Sequence, residues 1–329
     1  MATITLKQAA AWCGGTVEKQ YETVEFLGAN NDTRILLPGQ LFIVLKGARD
    51  GHDFIPAALE KGAAAVLCTR CDGDYPAIVV EDTRIALGDI ARGERDRIGM
   101  KVVGITGSVG KCTTKEMVSA VLQSKYKVEK TPANHNNDIG MPMAILSMPL
   151  DTEVAVLEMG MNHFREIAYL SDIAHPDVAV IINIGTMHIE HLGSQEGILK
   201  AKLEILEGME PTAPVLLNGD DKFLKTAQCG LHPVTYFGVG ENCTVRGLEP
   251  EISTGCVSFR VKAGAREFPI ELPVEGEHFV CDALAAVAVG LELGVEPVEE
   301  RMFVSCFGPK HHPFNNCIPT SNGLPSTHS

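Results

Sequence analysis

Apolar runs alternate with amphipathic stretches along most of the chain, and the period of the alternation changes twice. In the first third, LFIVL (41–45), AAVLC (64–68) and AIVV (77–80) read as strands, and FIPAALEKGA (54–63) reads as a helix. A longer helix is predicted from about Arg84 to Arg97, capped by Asp82 or Thr83. At the start of the chain, Thr5 and Gln8 have the spacing of a capping box for a short helix that Gly14 and Gly15 would stop. From Lys101 the pattern becomes strand, loop and helix in repetition. VVGIT, VAVLEMG and VAVIINIG are the strands, and KEMVSAVLQSK and FREIAYLSDIA the helices. Such alternation predicts βαβ units and a mainly parallel sheet. Residues 244–274 then shorten into VRGL, CVSFRV and FPIELPV, which predict antiparallel hairpins, before the helical run CDALAAVAVGLELG (281–294).

The predicted fold is therefore α/β. A small N-terminal α/β domain (1–98) precedes a central P-loop-type domain (99–304), whose mainly parallel sheet carries added hairpins. The remainder, 305–329, is read as a disordered tail: positions 301–329 hold none of the 42 acidic residues, and the last 22 residues include four prolines.

Composition narrows the function classes. With 45% hydrophobic and 21% charged residues the chain is of ordinary globular type. A formal net charge of −14 argues against non-specific nucleic-acid binding, although a local nest of backbone amides can still take an anion. No apolar run is long enough for a membrane span, and the first residues lack a signal-peptide pattern. Ten irregularly spaced cysteines suit a reducing compartment, so the expected location is the cytoplasm. Cys68 and Cys71 form a C-x-x-C without a second pair at zinc-ribbon distance and are read as incidental spacing. Cys306, His311, His312 and Cys317 could be drawn as a metal set, but they lie in the tail and are not assigned that role.

The chemistry concentrates in GITGSVGKCTTKEM (104–117). A strict P-loop, G-x-x-x-x-G-K-[ST], fails here twice, because Ile105 replaces the first glycine and Cys112 the hydroxyl residue. Gly107, Gly110 and Lys111 nevertheless stand between a buried strand and a helix start. The backbone amides of Gly107, Ser108, Val109, Gly110, Lys111, Cys112 and Thr113 could face phosphate oxygens, with Lys111 adding a mobile charge. Glu158 ends one predicted strand and His188 follows another, where an open α/β sheet presents its ligands. Each alone is weak, but together, downstream of a phosphate loop, they predict a metal and nucleotide site.

GITGSVGK, TPANHNNDIGMPMAIL, LEMGMN, INIGTMHIEHLGS and KAKLEI resemble, in order and spacing, the motifs of the ATP-dependent Mur ligases. NDTRILLPGQLFIVLKG and DGHDFIPAALEKGAAAVL further resemble the MurF branch, over about residues 1–300. The resemblance implies a ligase using ATP and Mg²⁺ in peptidoglycan precursor synthesis. Its carboxylate substrate would be UDP-N-acetylmuramoyl-tripeptide, activated as an acyl phosphate that the amine of D-Ala-D-Ala attacks. It implies catalytic roles for Lys111, His188 and Lys202, with Glu158, His188 and a carbamylated Lys202 as magnesium ligands. Thr33 and Arg34 would serve the UDP moiety. Asn134, Asn136 and Asn137 would face the muramoyl substrate and phosphates, and Asp282 would lie near the adenine, where many relatives have an asparagine. A monomer is expected, with no nucleic-acid partner and no membrane insertion.

Two departures qualify that expectation. A thiol at Cys112 is a poor donor for Mg²⁺, which prefers hard oxygen ligands, so weakened use of Mg·ATP is expected. The resemblance also stops near Val304, short of the third, Rossmann-like domain of MurF enzymes. A chain without that lid would bind the UDP-linked precursor but turn over little or not at all. The alternatives are a non-catalytic fragment that binds only UDP-sugar or nucleotide, and a sister ligase, such as the one adding the third peptide residue, or a folylpolyglutamate synthase relative.

Overall fold

The computed structural model describes residues 3–47, 49–133 and 135–296. The expected tail and Asn134 lie outside the described residues. The N-terminal part runs β1 (Ile4–Thr5), α1 (Leu6–Cys13), β2 (Glu25–Phe26), β3 (Ala29–Asn30), β4 (Leu41–Ile43), α2 (Ile55–Glu60), β5 (Ala65–Cys68), β6 (Ala77–Val79) and α3 (Thr83–Ile98). β1 and β2 pair antiparallel, while β3 to β6 form a parallel sheet in sequence order. Local signals set the helix ends. The capping box of Thr5 and Gln8 starts α1, and Gly14 ends it in the left-handed conformation at φ 66°. Asp82 caps α3 by accepting from the amides of Arg84 and Ile85.

The second part runs β7 (Lys101–Thr106), α4 (Lys111–Leu122), β8 (Val128–Lys130), α5 (Gly140–Leu146), β9 (Val154–Glu158), α6 (Glu166–Ala174), β10 (Val178–Ile181), α7 (Ile189–Leu192) and α8 (Gln195–Leu203). It continues with β11 (Val215–Asn218), β12 (Val234–Gly238), β13 (Val245–Ser253), β14 (Cys256–Ala263), β15 (Arg266–Leu272) and α9 (His278–Glu292). One nine-stranded sheet results, in the order β15-β14-β13-β12-β11-β10-β7-β9-β8. It is parallel from β8 to β13 and antiparallel over β13, β14 and β15. The hairpins foreseen at 244–274 thus extend the central sheet directly.

Alternation along the strands distributes two cores. Ala179 and Ile181 of β10 face a core that reaches through α5 and α6 to α3 and the small sheet. Val178 and Val180 face a second core under α4 and α9. α3 joins the two parts through polar contacts as well as packing. Arg95 Nη1 donates to the Ile173 carbonyl at 2.9 Å, Arg92 pairs with Asp172, and Arg84 pairs with Asp138 at 3.1 Å. The N-terminal part is thereby fixed against the segment that carries Asn136 and Asn137. Among the described cysteines no disulfide forms. The Cys68 thiol donates to the Ile78 carbonyl and the Cys71 thiol to that of Gly73, so both are used locally.

Candidate active site

The loop between β7 and α4 turns at Gly110, whose φ of 85° is left-handed and favours glycine. A Cβ there would also stand 3.1 Å from Asp282 Oδ1. Asn183, just past β10, fastens the loop: its Oδ1 accepts from the amides of Ser108 and Val109, each at 3.0 Å, and its Nδ2 donates to the Val109 carbonyl at 3.0 Å. Ser108 Oγ accepts from the Gly185 amide at 2.8 Å. Two amides expected to face phosphate are therefore directed at Asn183 instead. Gly110, Lys111 and Thr113 remain at the helix start, where α4 offers no internal acceptor. Lys111 folds back over the loop, donating to the Gly107 carbonyl at 2.9 Å. Cys112 sits half-buried in the first turn of α4.

The carboxyl ends of the neighbouring strands meet this loop. Glu158 ends β9 at 1% exposure, and its Oε1 accepts from Asn136 Nδ2 at 2.9 Å. Its Oε2 has no hydrogen-bond donor among the described residues, and neither does the buried Thr106 Oγ1 at the end of β7. His188 precedes α7 in a left-handed conformation, φ 63°. Lys202 on α8 is 3% exposed, and among the described residues no carboxylate pairs with it. Burial, together with the charge of Lys111, lowers its ammonium to about 7. No three ligand-type side chains gather into a preformed metal centre among the described residues. The uncommitted Glu158 oxygen is the type of hard donor a divalent ion takes, and the His188 imidazole is a second ligand type.

A cleft of about 690 Å³ runs from this loop towards the N-terminal part. Its lining includes Lys111 and His188, then Asn136, Asn137 and Asp138, and Arg84 of α3. A second cleft, of about 490 Å³, is lined by Asn30, Asn31, Asp32 and Ile35 on one side and Lys130 and His135 on the other. Thr33 and Arg34 are not among its lining residues, although Asp32 and Ile35 on either side of them are. Arg34 is 86% exposed and pairs with Asp32 at 2.6 Å. A mainly basic cleft at the ends of β4 and β5 is lined by Lys46, Arg49, His52 and Arg70 among others, with the Asp50 carboxylate in it pairing both His52 and Arg70. Asp282 is 3% exposed under the phosphate loop, accepting from Thr114 Oγ1 at 2.8 Å, and burial raises its carboxyl to about 7.

Sequence reading missed two residues of this site. Asn183 lies inside the quoted stretch INIG, yet nothing local distinguishes it from any polar residue after a strand. Lys115 reads as a surface lysine but is 2% exposed, 3.7 Å from Glu158 Oε2.

Comparisons with known proteins agree with this architecture. A model described as the Mur ligase middle domain matches residues 105–290, and one described as the Mur ligase family catalytic domain matches residues 25–95. The chain belongs to the Mur ligase family. Within it the similarity is to MurF. The UDP-N-acetylmuramoyl-tripeptide–D-alanyl-D-alanine ligase of Bacillus subtilis is 43% identical over 299 residues, covering 89% of this chain and 65% of that protein. The Escherichia coli enzyme of the same name is 34% identical, with 89% and 66% covered. A crystal structure of MurF from Acinetobacter baumannii superposes with a TM-score of 0.85 at 33% identity, over 93% of this chain and 68% of that one. MurF ligase from Thermotoga maritima, solved in complex with ADP, gives 0.77 at 32% identity, over 85% and 66%. The chain thus spans about two thirds of the length of these relatives.

Proposed function

We propose that this chain carries the precursor- and nucleotide-binding parts of a MurF-type ligase, which joins D-Ala-D-Ala to UDP-N-acetylmuramoyl-tripeptide at the expense of ATP. The observation that carries the reading is the single cleft that brings Lys111 and His188 together with the Asn136–Asn137 pair and Arg84. A carboxylate presented along that cleft reaches the phosphate loop. Its oxygen attacks the γ-phosphorus, ADP leaves, and an acyl phosphate forms. The amine then attacks the acyl carbon, phosphate leaves, and the amine's proton passes to solvent.

Lys111 swings from the Gly107 carbonyl to the β- and γ-phosphates, while Gly110 and the first turn of α4 give amides to their oxygens. Glu158 and His188 would hold Mg²⁺, which supplies charge neutralisation between phosphate and carboxylate. Lys202, buried without a carboxylate partner among the described residues, is suited to capture CO₂ as a carbamate and so become a further anionic ligand. The cleft between Asn30 and His135 and the basic cleft beside Arg70 receive the uridine diphosphate end. We place the boundary between the two parts at residues 98 and 99, and the protein in the cytoplasm as a monomer.

The test is ADP release with precursor and D-Ala-D-Ala, each omitted in turn. Release that needs both supports ligation. Binding of precursor and ADP without release supports the second reading, a binding protein, which the thiol of Cys112 beside the phosphate lysine favours. Absence of both would overturn the assignment. Lys202 is tested separately by ¹³C NMR with labelled bicarbonate at about pH 8, above its lowered folded value: a carbamate signal that disappears in Lys202→Arg is expected.

A further inference from the structure

Lys115 follows Lys111 by one turn on the same face of α4, but its ammonium is enclosed. A buried ammonium is tolerated only when partners offset its lost hydration. Its two partners come from different segments. Nζ donates to the Ala133 carbonyl at 3.2 Å and lies 3.7 Å from Glu158 Oε2. The first contact is a hydrogen bond. The second is an ion pair too long for one, and it leaves that carboxylate oxygen uncommitted.

The segment from β8 to α5 is tied at three successive points. Lys130 pairs with Glu116, the neighbour of Lys115. Ala133, at a left-handed φ of 41° that a non-glycine residue adopts at a cost, turns its carbonyl to Lys115. Asn136 donates to Glu158 Oε1 and, through its carbonyl, accepts from the Gly160 amide at 2.8 Å. Two of these ties come from adjacent residues of the helix whose first turn forms the phosphate site.

We infer that Lys115 is a positioning residue: it ties the phosphate-binding helix to the 131–137 segment and so holds Asn136 and Asn137 in the wall of the cleft. The inference rests on the ligase reading for what that wall binds, but the positioning itself does not. Lys115 need not touch a substrate. It sets where the asparagines stand relative to Lys111, and an ammonium does so without occupying the Glu158 oxygen that a cation would use.

The experiment compares the full chain with Lys115→Met, with Lys115→Arg, and with Lys115→Met/Glu158→Gln, where the second change removes the carboxylate that the first would leave buried and unpaired. Hydrogen–deuterium exchange without ligand should accelerate about tenfold within 131–137 in both methionine variants, with α4 and β7 unchanged, and Lys115→Arg should restore part of the protection. Calorimetry of Lys115→Met in EDTA, with Glu158 in place, should show roughly tenfold weaker binding of UDP-N-acetylmuramoyl-tripeptide with ADP affinity within about threefold of the parent. Unchanged exchange in 131–137, or acceleration spread equally over α4 and the sheet, overturns the inference. A parent chain that binds no precursor would refute the ligase reading, and the exchange pattern would still decide the role of Lys115.

Discussion

Thr114 Oγ1 donates a 2.8 Å hydrogen bond to Asp282 Oδ1, across 168 positions of sequence, and this contact joins α4 to α9. The carboxyl group is enclosed, and burial raises it from 3.8 to about 7, with the Thr114 bond opposing the rise. A carboxyl that ionises less readily in the folded than in the unfolded chain weakens stability as pH rises. The loss begins above the unfolded value, near pH 4, and is complete once the folded group has ionised, above about pH 7. An asparagine at this position could still accept the Thr114 hydroxyl. Asp282→Asn should therefore stabilise the protein at about pH 8, by at most of the order of 4 kcal/mol, and leave it unchanged near pH 4. Thermal unfolding of both proteins across that range measures the difference; parallel curves would refute it.

Asn183 is expected to hold the phosphate loop in its open shape. Removing three hydrogen bonds in Asn183→Ala frees the amides of Ser108 and Val109 and lets the loop close on itself. ADP affinity should fall roughly tenfold to a hundredfold, since each such bond contributes about 0.5–1.5 kcal/mol net. Calorimetric titration decides, and tighter binding would mean that the released amides serve the phosphate better than the tethered ones.

Cys112→Thr should strengthen Mg²⁺-dependent nucleotide binding by about tenfold, because a hydroxyl is a hard oxygen donor and a thiol is not. The parent and variant should bind ADP alike in EDTA and diverge on adding Mg²⁺. Equal gain with and without the ion would show that the thiol acts by shape and not by coordination.

Gly160→Ala tests the asparagine that faces the cleft. Gly160 has no left-handed φ to forfeit, but its Cβ would stand 2.9–3.0 Å from the side-chain atoms of Asn136. Asn136 must move, and the buried Glu158 loses its donor at a cost of roughly 1–3 kcal/mol. A lower melting temperature with weakened precursor binding and unchanged ADP binding is the expected outcome. If ADP binding falls equally, Asn136 is not specific to the precursor.

Much of the fold was legible because its signals are local. A continuous apolar run marked Val178–Ile181 as a buried strand, and the Thr5–Gln8 box and Asp82 set helix starts within a few residues of themselves. The helix after the phosphate loop begins at Lys111, four residues before the apolar pattern from which it was read, because its first turn is polar. The short strands β3 and β8 and the pair β11 and β12 were not foreseen; two or three residues carry no period, and the last two are short runs set between proline- and glycine-containing turns.

The sequence by itself determined the alternating units, the glycine-lysine loop and its place between strand and helix, since each depends on neighbours within a turn or two. Tertiary structure decided which polar groups matter. Lys115 and Lys202 are ordinary helix lysines until sheet and helix close over them. Asn183 becomes the clamp of a loop 74 residues away only when β10 lies beside β7. Burial and pairing belong to the groups that surround a side chain, and those groups are brought together by the packed sheet, not by the local chain.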